Sequence, residues 1–395
     1  MNIPKLRFKE FTDEWKHYSL DDIISISSKK YNPLTSNINY PCIELESILS
    51  NSGTIINTFD SLNQKSIKNV FKENDILFGK LRPYLKKYWY AKFNGVCSSE
   101  IWVLNNKLGL NKYLYYLIQT NKFNLIANNS TGSKMPRADW QFIKSQKFYI
   151  SNMLEQEKIA NFLTTVDKKI TNLENTITNL ENQKKGLLQQ IFSQKLRFKD
   201  ENGNNYPNWI NSTIGKSGYF YYGKSAPKWS ITDTATIPCV RYGELYTTHN
   251  IMVKKIYSYT NIPKENLKFS TGNEVLVPRV GEEPLDFCKC CYLPFKDVAI
   301  GEMISVYNTK NNPLFISYMF NATMKYKFAK LVEGGNVSNL YYSYLENIKI
   351  KLPCLEEQTK IADFLSAFDR KLDNQKAQLE HWKQIKKGLL QQMFV

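Results

Sequence analysis

Histidine is scarce in this 395-residue chain, with three in all, so a catalytic or metal centre built on imidazole has little to draw on. The seven cysteines are scattered, which fits reduced thiols in a cytoplasmic protein rather than a disulfide scaffold. No run approaches the ~18 uninterrupted apolar residues of a membrane-spanning helix. Met1 to Glu14 mixes charged with apolar side chains and has no signal-peptide core, so no membrane partner is expected. Acidic residues are outnumbered, 36 Asp plus Glu against 53 Lys plus Arg, for a net charge of +17. That excess points to a polyanion, most often nucleic acid. The chain is 42% apolar and 23% charged, which is ordinary globular composition, and its length predicts two or more domains.

Catalytic motifs are missing as well: there is no G-x-S-x-G elbow, H-E-x-x-H helix or dinucleotide-binding glycine fingerprint. Gly218 to Ser225 (GYFYYGKS) satisfies the phosphate-loop template G-x-x-x-x-G-K-[ST], but its flanks argue against that role. Asn211 to Ser217 is polar where a buried strand should stand, and Ala226-Pro227 follows where a helix should open. A surface loop with a basic tip is expected instead. Cys288, Cys290 and Cys291 lack the second, separated ligand pair of a structural zinc site and are expected as buried strand thiols. Glu282, Glu283 and Asp286 lack an accompanying nuclease-like lysine motif and are expected in a solvated loop. The chain reads as a non-enzyme that holds no metal or cofactor of its own.

What is present is a repeat. Glu155 to Phe192 (EQEKIANFLTTVDKKITNLENTITNLENQKKGLLQQIF) aligns without a gap to Glu357 to Phe394 (EQTKIADFLSAFDRKLDNQKAQLEHWKQIKKGLLQQMF), with 18 of 38 positions identical. A shorter echo, Lys5-Leu6-Arg7-Phe8-Lys9, recurs as Lys195-Leu196-Arg197-Phe198-Lys199. Both long repeats predict helices. Ile159, Leu163, Val166, Ile170, Leu173, Ile177, Leu180, Leu187 and Ile191 follow a heptad seam in the first copy. Ile361, Leu365, Phe368, Leu372, Leu379, Trp382, Leu389 and Met393 follow it in the second. Lys184 breaks the register once in the first copy, and Gln375 and Lys386 break it in the second. A helix of ~38 residues, ~55 Å long, is too long to lie alone in water. The economical solution is an antiparallel coiled coil of the two copies; the alternative lays each seam on its own globular domain.

The plan is therefore a variable region over residues 1–154, a helix over 155–195, a second variable region over 196–355 and a helix over 356–395. The fold class is α+β, an internal duplication of pseudo-twofold character. The variable regions predict strands at Ile76–Phe78, Ile101–Leu104, Glu274–Val277 and Met303–Tyr307, and helices near Lys112–Gln119 and Pro313–Met324. Tyr40-Pro41-Cys42-Ile43 corresponds weakly to Ile237-Pro238-Cys239-Val240, and Ser99-Glu100-Ile101 to Gly301-Glu302-Met303, as for one fold with divergent surfaces. Basic and aromatic residues interleave in places. Lys80, Arg82, Lys86 and Lys87 sit among Tyr84, Tyr88, Trp89 and Tyr90, and Thr131 to Arg137 forms a small-residue loop bearing Lys134 and Arg137. In the second region Lys224, Lys228, Arg241, Arg279 and Lys289 fall in loops or at strand ends. Such groups bind phosphate, and Arg also grips guanine edges; the competing reading of each lysine is a solvated basic face.

Two variable regions, each followed by a helix opening E-Q-x-K-I-A-x-F-L and closing K-K-G-L-L-Q-Q-x-F, resemble the specificity (S) subunit of type I restriction-modification systems. The resemblance spans essentially the whole chain. Gly223-Lys224-Ser225-Ala226-Pro227 with Ile237 to Glu244 looks like the opening of a target-recognition domain in that family, and Gly132-Ser133-Lys134-Met135-Pro136 is similar to a late loop of such domains. The first helix is preceded by Ser151-Asn152-Met153, without the proline that Pro353 supplies before the second. The resemblance implies a non-catalytic subunit whose two recognition domains each read half of a bipartite double-stranded DNA target. The helices would set the gap and dock two methyltransferase (modification) subunits. S-adenosylmethionine and adenine methylation would belong to those partners, and ATP and Mg to two restriction subunits of the full complex. A ~55 Å span matches ~16 base pairs of duplex. The competing class is a coiled-coil scaffold that binds RNA or acidic proteins without reading sequence; a self-sufficient restriction-methylation enzyme is disfavoured by the missing cofactor motifs.

Overall fold

In the computed structural model of the protein, residues 3–129, 134–335 and 337–395 are described. They form two compact units, Met1–Asn175 with Lys376–Val395, and Thr176–Gln375. The division falls inside both long helices, so each unit consists of one variable region, the first half of the helix that follows it and the last half of the other helix.

Among the described residues the first unit holds three sheets. Lys16–Ser19 pairs antiparallel with Lys147–Ile150. A four-stranded sheet runs in the order Ile24–Ile26, Ile101–Asn106, Ile76–Gly79, Tyr88–Tyr90, and a five-stranded one in the order Lys30–Tyr31, Lys68–Phe71, Gly95–Cys97, Pro41–Ile43, Phe59–Asp60. The second unit repeats the plan. Ile210–Thr213 pairs with Lys349–Leu352. One four-stranded sheet runs Gly218–Tyr222, Ile304–Thr309, Glu274–Pro278, Cys291–Leu293, and another runs Ser258–Thr260, Ile237–Val240, Lys296–Ile300, Phe269–Thr271. In both units the Pro-Cys-[IV] strand makes a parallel pair: Pro41–Ile43 with Gly95–Cys97, and Ile237–Val240 with Lys296–Ile300. A small sheet of Val280–Gly281, Ser338–Asn339 and Glu333–Gly334 belongs to the second unit; the matching place in the first shows an isolated bridge, Leu81 to Arg137.

The anticipated strands and helices are present, the helices as Asn111–Leu117 and Pro313–Thr323. Asn312 starts the latter by accepting a bond from the Phe315 N–H at 3.0 Å, with Pro313 at the first helical position. Val275, Leu276 and Val277 are buried on successive positions, so this central strand is covered on both faces.

The long helices run Met153–Phe192 and Leu355–Gln392, close to the limits of the repeat. In the first unit Ile159, Ala160 and Leu163 share a core with Leu390 and Met393, and in the second Ile361, Ala362 and Leu365 share one with Ile191. The sense is antiparallel. In the first unit Asp167 meets Lys386 at 2.8 Å and Glu174 meets Lys383 at 3.1 Å, so one helix ascends while the other descends. These crossings exclude the reading in which each seam lies only on its own domain. Of the seam residues, Ile159, Leu163, Val166, Leu173, Ile177, Leu180, Ile361, Leu365 and Leu372 are buried, whereas Ile170, Leu187, Phe368, Leu379, Trp382 and Leu389 are partly exposed. Near Leu187 the residue packed on the core is Leu188, because the strict 3.5-residue register drifts against a 3.6-residue helix once the partner is a globular core as well as a helix.

Two of the three polar breaks in the seam, Lys184 and Lys386, are contacts rather than gaps. Lys386 pairs with Asp167, which also accepts a bond from the Tyr116 hydroxyl at 2.9 Å. Lys184 pairs with Asp369 at 2.5 Å, and Asp369 accepts from the Tyr318 hydroxyl at 2.6 Å. Each trio joins a variable region, its own helix and the opposite helix. A second duplicated anchor sits at the helix starts. Arg7 Nε and Nη2 donate to the two Glu155 carboxylate oxygens at 2.7 and 2.8 Å, and Trp15 Nε1 donates at 3.0 Å. Arg197 does the same to Glu357 at 2.7 and 2.8 Å, with Trp209 at 3.1 Å. Both carboxylates are fully buried, in the first helical turn where the helix dipole favours negative charge. The pair raises the arginine pKa in each case, chiefly through the side-chain bond to the carboxylate. The short K-L-R-F-K echo is thus a clamp on the start of a long helix. It also caps the end of one: Leu196 N–H bonds Gln190 O at 3.1 Å and Leu6 N–H bonds Gln392 O at 2.9 Å.

Candidate nucleic-acid interface

In the first unit the end of strand Ile76–Gly79 leads into Lys80, Leu81 and Arg82, which run beside Pro136–Ala138. Lys80 N–H bonds Glu100 O at 2.9 Å, Ala138 N–H bonds Lys80 O at 2.8 Å and Arg82 N–H bonds Pro136 O at 2.7 Å. Two clusters remote in sequence, around Lys80 and around Arg137, therefore form one surface. Arg82 is exposed and takes a left-handed backbone, as does Lys86. Lys134 is exposed; Thr131, Gly132 and Ser133 of the same loop lie outside the described residues. Some of the expected cations have protein partners. Arg137 makes a forked pair with Glu100 at 3.0 and 3.3 Å, and Lys87 donates to Leu45 O at 2.6 Å, which turns its ammonium toward the protein rather than to a ligand.

In the second unit Arg279 occupies the place of Lys80. The ladders fix this: Gly79 pairs with Ile101 and Pro278 with Ile304, Arg279 N–H bonds Met303 O at 3.2 Å, and Leu340 N–H bonds Arg279 O at 2.8 Å. Its guanidinium lies 4.2 Å from the Tyr222 ring centre and 5.8 Å from that of Tyr341, a cation–π clamp. Tyr342 packs on Tyr222 at 4.6 Å. Arg279 Nε is buried with no acceptor among the described residues. Lys289 pairs with Asp286 at 2.8 Å and lies over Tyr246, whose hydroxyl bonds Val280 O at 2.9 Å; this group lines the flank of the Arg279 strand. Lys224 donates to Glu265 O at 3.2 Å. Lys228 is exposed beside Trp229, itself 72% exposed, and Arg241 is partly exposed at the end of strand Ile237–Val240.

The sequence did not single out Tyr222, Tyr341, Asp167, Asp369, Glu155 or Glu357. The carboxylates had a signal, since each pair recurs at one constant offset. The tyrosines had none, because pairing across three strands brings them to Arg279.

The phosphate-loop look-alike is corrected by the fold. Gly218–Tyr222 is not a loop but a strand, paired residue by residue with Ser305–Thr309. Ser225 and Ala226 then take left-handed backbones, and only a three-residue 3₁₀ turn, Lys228–Ser230, follows, not the α-helix start on which phosphate could sit. A side chain at Gly223 would collide with the Gly301 carbonyl, so that glycine serves backbone packing. Cys288, Cys290 and Cys291 are buried, and burial raises each thiol pKa. Of the three, only Cys291 lies in a strand, because Pro284–Cys288 coils into a 3₁₀ turn. Glu282 and Glu283 are exposed. Among the described residues no three of His, Cys, Asp and Glu gather as metal ligands, and no helix is long and apolar enough to cross a membrane.

By class, the molecule is a duplicated α+β protein with two basic, aromatic surfaces on two shared helices. The type I restriction modification DNA specificity domain matches this chain twice, over residues 12–182 and 199–381. A putative type I restriction enzyme MjaX specificity subunit from Methanocaldococcus jannaschii is 25% identical over 425 residues, covering 98% of this chain and 95% of that one. The MjaVIII specificity subunit of the same organism is 23% identical over 359 residues, covering 85% and 81%. Among solved structures, the S subunit of a type I restriction-modification system from M. genitalium superposes with a TM-score of 0.60 at 17% identity over 100% of this chain and 99% of that one. A chain from a type I R-M system studied for complex assembly gives 0.59 at 15% identity, covering 95% and 96%. The chain belongs to the family of type I restriction-modification specificity subunits, the DNA-recognition component of a multisubunit complex.

Proposed function

We propose that each variable region, residues 1–154 and 196–355, reads one half of a bipartite, asymmetric double-stranded DNA target, and that the two long helices set the gap between the halves. The helices also dock two methyltransferase subunits, which bind S-adenosylmethionine and methylate adenine. Two restriction subunits, using ATP and Mg, complete the assembly. The chain itself performs no chemistry; its contribution is position. Lys80, Arg82 and Lys134 in one unit, and Lys228, Arg241 and Arg279 in the other, face the duplex. Lys86, Lys87, Arg137, Lys224 and Lys289 stand behind or beside them and shape the basic field.

One observation carries this reading: the helix anchors are duplicated in the two units, while the residues at the matched Lys80 and Arg279 positions and around them differ. A scaffold without sequence preference has no use for two alike mounts bearing unlike surfaces; a reader of two unlike half-sites does. Inserting one or two helical turns after Leu173 is expected to lengthen the spacer of the selected target and leave both half-site sequences intact, as read by selection from randomised duplexes with the assembled complex. A change in the half-sites themselves would refute the ruler. Binding of cognate and random DNA with equal affinity at physiological salt, where a specific reader discriminates by about 10³-fold or more, would favour the scaffold for RNA or acidic proteins.

A further inference from the structure

We infer that Arg279 is a specificity-determining residue of the second recognition domain: held against the rings of Tyr222 and Tyr341, it reads the guanine of one G·C pair through the major groove. The inference rests on the half-site reading above and names the base contact within it.

The argument concerns what holds an arginine. Arg7, Arg197 and Arg137 are held by carboxylates, which occupy the guanidinium's in-plane donors. Arg279 is held by ring faces, at 4.2 and 5.8 Å. A ring contact takes up no N–H group, and among the described residues the Arg279 side chain has no ion-pair or hydrogen-bond acceptor, so the terminal nitrogens keep their N–H groups for a planar ligand. Nε is buried without an acceptor, so the fork on offer is the terminal pair. The side chain is partly exposed, and its backbone is fixed on both sides by the bonds to Met303 and from Leu340. Orientation is thus settled before any ligand arrives. A guanidinium fork presented edge-on fits the O6 and N7 acceptors of guanine, the commonest specific arginine contact.

The first unit supplies the contrast. At matching places along the ladders it carries Ser28, Lys80 and Asp139 where the second has Tyr222, Arg279 and Tyr341. The backbone bonds at Lys80 and Ala138 are retained, but both ring faces and the fork are gone. A lysine ammonium is a point charge that suits phosphate better than a base edge. The two halves of the target are therefore read differently at this position.

The test uses the full chain assembled with its modification subunits and a randomised duplex library. Arg279→Lys keeps the charge and removes the fork; it is expected to lower discrimination for G·C at one position of the second half-site about ten- to a hundredfold, with the first half-site unchanged. Tyr341→Ala, which removes the more distant ring, is expected to lower discrimination at the same position by a smaller factor. If Arg279→Lys leaves the selected sequence intact while Arg279→Gln weakens all sequences alike, Arg279 touches phosphate and the inference is overturned. If the position affected falls in the first half-site, it is overturned as well. A wild-type complex that selects no sequence would refute the half-site reading instead, and that result is separate from either.

Discussion

The two units agree at their fully buried helix anchors and differ at the partly exposed positions around Lys80 and Arg279. Glu155 and Glu357 are gripped by Arg7 and Arg197 at matching distances, and each takes a tryptophan N–H. Gln156 and Gln358, the residues that follow, reach back to Ser151 O at 3.1 Å and Pro353 O at 3.0 Å. Against this agreement stand Ser28, Lys80 and Asp139 in one unit and Tyr222, Arg279 and Tyr341 in the other. A buried charge tolerates few solutions, because an unpaired carboxylate away from water costs several kcal/mol. A rim position in water tolerates many. Divergence therefore collects where the physics permits it, at the positions proposed above to face the duplex.

Breaking the anchors tests the agreement most severely. Glu155→Ala and Glu357→Ala each remove the carboxylate that an arginine grips and are expected to cost about 3–5 kcal/mol in urea unfolding of the full chain, by similar amounts in the two units. A loss at one site several times that at the other would show that the anchors are duplicated in geometry but not in energy. A smaller effect is expected at the helix crossings. Asp167→Asn and Asp369→Asn weaken the bonds to Lys386 and Lys184 and to the two tyrosines, for about 1–3 kcal/mol each. Burial, and then the carboxylate acceptor, raise the Tyr318 pKa; at Tyr116, burial acts first and the nearby Asp167 charge next. Native tyrosine thus holds its proton beyond the unfolded value of about 10, so stability falls as pH rises above 10. In Asp369→Asn the Tyr318 phenol should ionise at lower pH, visible in the ultraviolet absorbance. The mildest test sharpens the difference between the units: Lys80→Ala should weaken all DNA sequences alike and flatten the salt dependence by about one charge, whereas Arg279→Lys changes a base preference.

Much of the architecture was legible. The gapless repeat and its seam predicted two paired helices, and β-branched runs such as Glu274–Val277 predicted strands, because periodicity is a local property of the chain. Lys184 and Lys386 looked like flaws in that seam, since their partners lie on the opposite helix and no single-helix pattern shows them. Gly218–Ser225 read as a surface loop because its polar and proline flanks failed the phosphate-loop context, yet pairing with Ser305–Thr309 makes most of it a strand. Lys87 and Arg137 looked available to a ligand on composition alone; a carbonyl and a carboxylate from distant segments engage them.

The sequence by itself determined that the molecule is a duplication, where its long helices lie, that it is basic and to which family it belongs. All of these follow from order and identity along the chain. Only the tertiary structure decided that each unit takes half of either helix, that Arg7 and Arg197 hold buried carboxylates, and that Tyr222 and Tyr341 flank Arg279. Those facts depend on contacts between residues tens to hundreds of positions apart. Burial and strand pairing select such contacts from many arrangements that local pattern leaves equally open.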